Sequence, residues 1–186
     1  PIMMNYDVPP CDFSGYAGDD KIVCTGEELK IGDVADTTNL KFEWTPQMFL
    51  DNPYILNPVC RPLETITYVL KITDTELDCF DFDTVTITVI EAPKILNAED
   101  VHTCKNNSIM IGNSNNSDEY IYQWEPELYL DDFNAKTPIC KPETEMTYIL
   151  TVTNEFGCKS YDTVRVFLKP LSDINITGDS YICEGD

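Results

Sequence analysis

The sequence predicts an all-β protein made of two tandem sandwiches of about 80 residues, and three observations carry this. Cysteines recur at a fixed spacing: Cys24 and Cys104 are 80 residues apart, as are Cys60 and Cys140. Short β-branched runs alternate apolar and polar residues at period two, and no stretch shows a capped helical period. One tryptophan stands inside each copy, Trp44 and Trp124, on a predicted strand.

The elements follow in chain order. Leu29–Ile31 and its copy Ile109–Ile111 are short strands ending at Gly32 and Gly112. Lys41–Trp44 and Ile121–Trp124 are strands with an inward tryptophan, followed by Trp44-Thr-Pro46 and Trp124-Glu-Pro126. Pro58-Val-Cys60-Arg-Pro62 matches Pro138-Ile-Cys140-Lys-Pro142. Residues 67–73 and 84–90 are long alternating strands, copied at 147–153 and 163–168. Tyr68 and Tyr148 each sit near the start of a long strand, the place of the tyrosine whose hydroxyl fixes a sandwich corner. Strands of this length, frequent turns and a central tryptophan predict an immunoglobulin-like sandwich. The chain then divides into an end of a preceding repeat or linker (1–12), repeat one (13–92), repeat two (93–170) and the start of a third (171–186). Ile182-Cys183-Glu-Gly185 echoes Val23-Cys24-Thr-Gly26 and carries the last assignment.

Composition narrows function. Twelve lysines and arginines against 33 aspartates and glutamates give a formal charge of −21, which repels nucleic acid and anionic lipid. No run of about 20 apolar residues is present to cross a membrane. Eight cysteines without a Cys-x-x-Cys pair, and a single His102, fit a disulfide framework in an oxidising compartment better than a zinc site. No nucleophile–base set, metal cluster or phosphate loop appears, so no catalytic residue and no metal are assigned. Calcium is the one cofactor weighed, on Asp78, Asp81 and Asp83 around Cys79 and on the pairs Asp19-Asp20 and Glu99-Asp100. The second copy has Gly157 and Ser160 in place of Asp78 and Asp81, which argues against a repeated site.

Cys24-Thr-Gly26-Glu27, Trp44-Thr-Pro46, Thr67-Tyr68-Val-Leu70, Cys79 and Asp83-Thr84-Val85, with their copies, resemble the PKD-like or immunoglobulin-like repeats of giant Bacteroidetes surface proteins. Gliding-motility adhesins and other cargo of type IX secretion belong there. The resemblance covers about residues 13–170. It implies an extracellular, cell-surface setting and adhesive or structural work without catalysis. It also implies O-glycosylation at Thr37, Thr84 and Thr163, each in an Asp-Thr-apolar or Asp-Thr-Thr sequence. The added Cys60 and Cys140 depart from the family pattern.

Strand direction predicts the bridges. Cys24 and Cys60 fall at one end of the first sandwich, so Cys24–Cys60 and Cys104–Cys140 are the expected pairs. Cys11 can reach Cys79 at the opposite end. Cys158 has no cysteine in its own entering segment and either stays free or bonds elsewhere; Cys183 pairs beyond this stretch or in another chain. The reading is a stalk or filament whose partners are other repeats of the same protein, joined head to tail as a homo-oligomer. The alternatives are modules that bind surface polysaccharide or another ligand, and accessory domains of a secreted enzyme.

Overall fold

The computed structural model describes residue 11 and residues 16–33 and 38–169. The expected partial repeats at 1–12 and 171–186 lie outside the described residues, Cys11 excepted, as do Thr37 and Cys183. The chain forms two compact units, Pro1–Glu91 and Ala92–Asp186.

Unit 1 contains β1 (Lys21–Cys24), β2 (Leu29–Lys30), β3 (Leu40–Thr45), β4 (Val59–Cys60), β5 (Ile66–Asp74) and β6 (Cys79–Ile90). Unit 2 repeats them as β7 (Val101–Thr103), β8 (Ile109–Met110), β9 (Ile121–Glu125), β10 (Ile139–Cys140), β11 (Met146–Thr153) and β12 (Lys159–Leu168). Each unit has a four-stranded sheet, β1-β6-β5-β3 or β7-β12-β11-β9, and a two-stranded sheet, β2-β4 or β8-β10. All described elements are strands, and both units are immunoglobulin-like sandwiches.

The pleat explains the core. On β5, Tyr68, Leu70 and Ile72 point inward and are fully buried, while Thr67 and Val69 point out. Trp44 on β3 pairs with Leu70, and Val85 on β6 pairs with Tyr68. These residues pack with Ile31, Leu56 and Cys60 from the side of the small sheet. Trp124, Tyr148, Leu150, Val152, Val164 and Cys140 do the same in unit 2. Each indole N–H donates to a loop carbonyl, Trp44 to Ile55 O and Trp124 to Ala135 O, both at 2.9 Å. Each tyrosine hydroxyl donates to a carbonyl twenty residues back, Tyr68 to Met48 O and Tyr148 to Leu128 O, both at 2.7 Å. That is the corner bond expected of them.

Two local features recur for steric reasons. Gly32 and Gly112 have φ of 82° and 96°, and a Cβ there would lie 2.1 Å from Leu56 O or 2.5 Å from Lys136 O. Only glycine lets the small sheet cross the loop so closely. The turn between β5 and β6 is held by Asp74 Oδ1, which accepts the Glu76 and Leu77 N–H groups. Asn154 Oδ1 does this work in unit 2, accepting from Phe156 and Cys158. Asp78 and Gly157 are both left-handed there, with φ of 54° and 84°. The Asp78-to-Gly157 difference between copies is thus one between two residues that tolerate this conformation.

Candidate functional site

The cysteines part into a covalent group and a buried pair. Cys60 and Cys140 are free thiols with no exposure to solvent. The expected Cys24–Cys60 and Cys104–Cys140 bridges are therefore not made. The two chain stretches do meet at one end of unit 1, where Gly26 N–H donates to Pro62 O at 3.2 Å, but the two side chains take different directions. Cys60 sits on β4 of the small sheet and turns into the core, whereas Cys24 ends β1 at the edge of the large sheet and is half-buried. A level fixes position along a strand, and only the pleat fixes which side the sulfur takes.

Inside, Cys60 Sγ lies 3.2 Å from Tyr68 Oη and Cys140 Sγ 3.3 Å from Tyr148 Oη. Each tyrosine has one hydroxyl proton and gives it to a carbonyl, which can only accept. The thiol must therefore donate to the tyrosine oxygen. The chain runs Cys Sγ–H to Tyr Oη–H to the carbonyl of Met48 or Leu128. Burial pushes both thiols above their usual range, against the smaller opposing effect of the tyrosine bond. Burial also pushes both phenols up, with the neighbouring cysteine adding to it. Both partners are neutral hydrogen-bonding groups in the folded units.

Cys11 is bonded to Cys79, with Cα atoms 6.0 Å apart and 68 residues between them in sequence. Cys24, Cys104 and Cys158 are disulfide-bonded as well, so Cys158 is not a free thiol. Together these bonds place the chain's chemistry in an oxidising setting.

The aspartates weighed for calcium, and those of the Asp-Thr-Val sequences, mostly hold backbone. Asp83 Oδ2 accepts the Ala17 N–H at 2.8 Å, and Asp162 Oδ2 the Ala98 N–H at 2.7 Å. Asp20 Oδ1 accepts from Thr86 N at 2.7 Å and Asp100 Oδ1 from Arg165 N at 2.8 Å. These four carboxylates strap the entering chain to the last strand of each unit. Among the described residues no three His, Cys, Asp or Glu side chains gather as metal ligands. Thr84 and Thr163 are exposed on β6 and β12. His102 lies exposed on the edge strand β7, stacked on Phe167 with ring centroids 4.9 Å apart.

The outer face of each four-stranded sheet differs from the rest of the surface. In unit 1 it presents Lys41, Glu43, Thr67, Val69, Lys71, Phe80, Phe82, Thr84 and Thr86; in unit 2 Gln123, Glu125, Thr147, Ile149, Thr151, Lys159, Tyr161, Thr163 and Arg165. Among the described residues these faces carry four lysines and arginines (Lys41, Lys71, Lys159, Arg165) against two acidic residues (Glu43, Glu125). Phe82 and Tyr161 occupy equivalent outward positions and are 54% and 65% exposed. Phe49 and Tyr129 also recur, each before a Leu-Asp pair, but they are left-handed, at φ 64° and 67°, and partly buried against the cores. The signal for Phe82 and Tyr161 was their phase: each stands three residues before an inward valine, on the polar phase of the alternation.

No known protein family matches the chain, and no curated protein matches it. Solved structures do superpose loosely. Extracellular domains 3–5 of Drosophila OTK match with a TM-score of 0.47 and 15% identity, over 82% of this chain and 60% of that one. The I-band fragment I67–I69 of titin gives 0.40 and 11%, over 81% and 62%. A SusE-like surface-located polysaccharide-binding protein of Bacteroides thetaiotaomicron gives 0.41 and 10%, over 83% and 34%. The chain thus spans about 60% of the OTK fragment. The immunoglobulin-like assignment rests on the strand order and core described above.

Proposed function

We propose that this chain is a stretch of an extracellular, non-enzymatic array of immunoglobulin-like modules that carries tension along the stalk of a large secreted surface protein. One observation carries the reading: the first strand of each unit runs parallel to the last. Lys21–Cys24 pairs with Ile87–Ile90, and Val101–Thr103 with Val166–Leu168. Tension that enters at the first strand and leaves at the last pulls the two past each other. All their hydrogen bonds are then loaded together, whereas an antiparallel pair pulled at one end opens bond by bond. Thr25 N–H to Ile90 O and Lys169 N–H to Thr103 O, at 3.0 and 2.8 Å, extend the two ladders. The aspartate straps extend them in the other direction.

The disulfides support an extracellular place, where reduction does not undo them. The resemblance to gliding-motility adhesins supports a bacterial surface and type IX secretion, with other repeats of the same protein as the nearest partners. The reading needs neither a cofactor nor calcium.

Single-molecule force spectroscopy tests it. The reduced chain, pulled by its ends, should yield in two abrupt steps, one per unit. Asp83→Ala should weaken the step of unit 1 and Asp162→Ala that of unit 2. Gradual extension at low force, indifferent to both substitutions, would rule out a load-bearing clamp.

A further inference from the structure

We infer that the outer face of the four-stranded sheet in each unit is a docking surface for an uncharged polysaccharide. This goes beyond load-bearing, since a stalk needs no ligand, and it is tested by a separate readout.

The first support is recurrence in register. Phe82 and Tyr161 project from equivalent positions of β6 and β12 and stand opposite Lys71 and Thr151 on the neighbouring strands. Val69 and Ile149 project beside them, 36% and 48% exposed. Scattered exposed apolar residues are ordinary on a protein surface. The same aromatic and aliphatic pair at the same two lattice points of two units is a pattern. In unit 2 a shallow depression borders this face, lined by Glu125, Thr147 and Ile149 on it and by Pro126 and Glu127 beyond the end of β9.

The chemistry is that of a sugar platform. A flat exposed ring takes the apolar C–H face of a pyranose, and hydroxyl groups around it exchange hydrogen bonds with the sugar's own. Threonine supplies them: Thr67 and Thr86, whose hydroxyls are 3.1 Å apart, and Thr84 in unit 1; Thr147, Thr151 and Thr163 in unit 2. The carboxylates next in sequence to the rings do not interfere. Asp83 and Asp162 point to the other side and are engaged by Ala17 and Ala98.

Charge selects the occupant. A basic partner would seek the acid-rich remainder of the surface, because among the described residues each face carries one acidic residue, Glu43 or Glu125, with Glu127 bordering the second. An anionic glycan, or a second copy of the chain, approaches a molecule of formal charge −21 and is repelled at long range. A neutral, hydroxyl-rich polymer meets neither obstacle, and the acid-poor face is where it loses least on desolvation.

The test is native affinity electrophoresis of the intact protein through gels containing dextran, mannan or laminarin, with dextran sulfate as the anionic comparison. At least one neutral polymer should retard the protein. Combined Phe82→Thr and Tyr161→Thr, which keep residues suited to a strand, should weaken that retardation about tenfold, the factor expected from losing two stacked rings. Thermal melting of the variant should match the parent, which separates loss of binding from loss of fold. Four results would overturn the inference. One is that no neutral polymer retards the protein. Another is that retardation persists in the folded variant. A third is that dextran sulfate binds more strongly than the neutral polymers, and a fourth that sedimentation shows the face to be occupied by a second copy.

Discussion

The two units each have their own core built to the same plan and differ in how the entering chain is tied. Trp44 and Trp124, Tyr68 and Tyr148, and Cys60 and Cys140 make the same bonds at distances within 0.1 Å of each other. Unit 1 then fastens its entering chain to β6 with the Cys11–Cys79 disulfide. Unit 2 has no cysteine in that segment, its Cys158 being disulfide-bonded elsewhere, and ties the segment with hydrogen bonds. Ser160 Oγ donates to Pro93 O at 2.6 Å, and Asn116 both accepts from Leu96 N and donates to Leu96 O. The interior tolerates little change because its polar side-chain groups are all hydrogen-bonded in a closed space. The tie lies at the edge, where a covalent bond and a set of hydrogen bonds can serve the same end at different strengths.

The comparison is sharpened first by the tryptophans. Trp44→Ala and Trp124→Ala should each cost about 3–5 kcal/mol, confined to their own unit, since each removes a large buried ring. Differential scanning calorimetry of both variants checks this, and markedly unequal losses would break the claim of a shared plan. Next comes the tie of unit 1. Cys79→Ser should destabilise that unit by about 4 kcal/mol, from the loop entropy of a closure this long, with unit 2 unchanged; denaturant titration with a probe in each unit separates the two.

Tyr68→Phe and Tyr148→Phe should cost about 1–3 kcal/mol each, because each strands a buried thiol donor and a carbonyl. The same groups set the response to alkali. Thiol and phenol both have folded pKa values raised above their unfolded ones. Their contribution is therefore complete at neutral pH and is lost as pH climbs past the unfolded thiol value of about 8.5 and then the phenol value of about 10. Melting temperatures should be level through neutrality and fall in both units above that point. Smallest is Ser160→Ala, about 1 kcal/mol for one hydrogen bond, read in unit 2 alone. A loss there as large as that of Cys79→Ser would erase the contrast between the two ties.

Much of this was legible in the residues, for a physical reason. Period-two alternation fixes which side chains of β5 and β6 enter the core, and large apolar residues at those phases cannot be misread. The tryptophans, the tyrosines and the repeat itself followed. Cys60 was harder. It lies on a two-residue strand, too short for alternation to reveal its direction, and its level beside Cys24 pointed to a bridge that its orientation forbids. Asp83 and Asp162 read as parts of a glycosylation sequence; their role as straps depends on Ala17 and Ala98, more than sixty residues away, which no local pattern indicates. Phe82 and Tyr161 are legible from phase alone, since each is an aromatic on the polar phase of a long alternating strand.

A shared thiol-centred plan with unequal ties is tested most directly by peptide mapping under non-reducing conditions, with alkylation before and after unfolding. The folded protein should leave Cys60 and Cys140 unmodified, both should react once denaturant is added, and a Cys11–Cys79 peptide should be recovered. Recovery of Cys24–Cys60 or Cys104–Cys140 peptides, or alkylation of Cys60 or Cys140 in the folded protein, would contradict it.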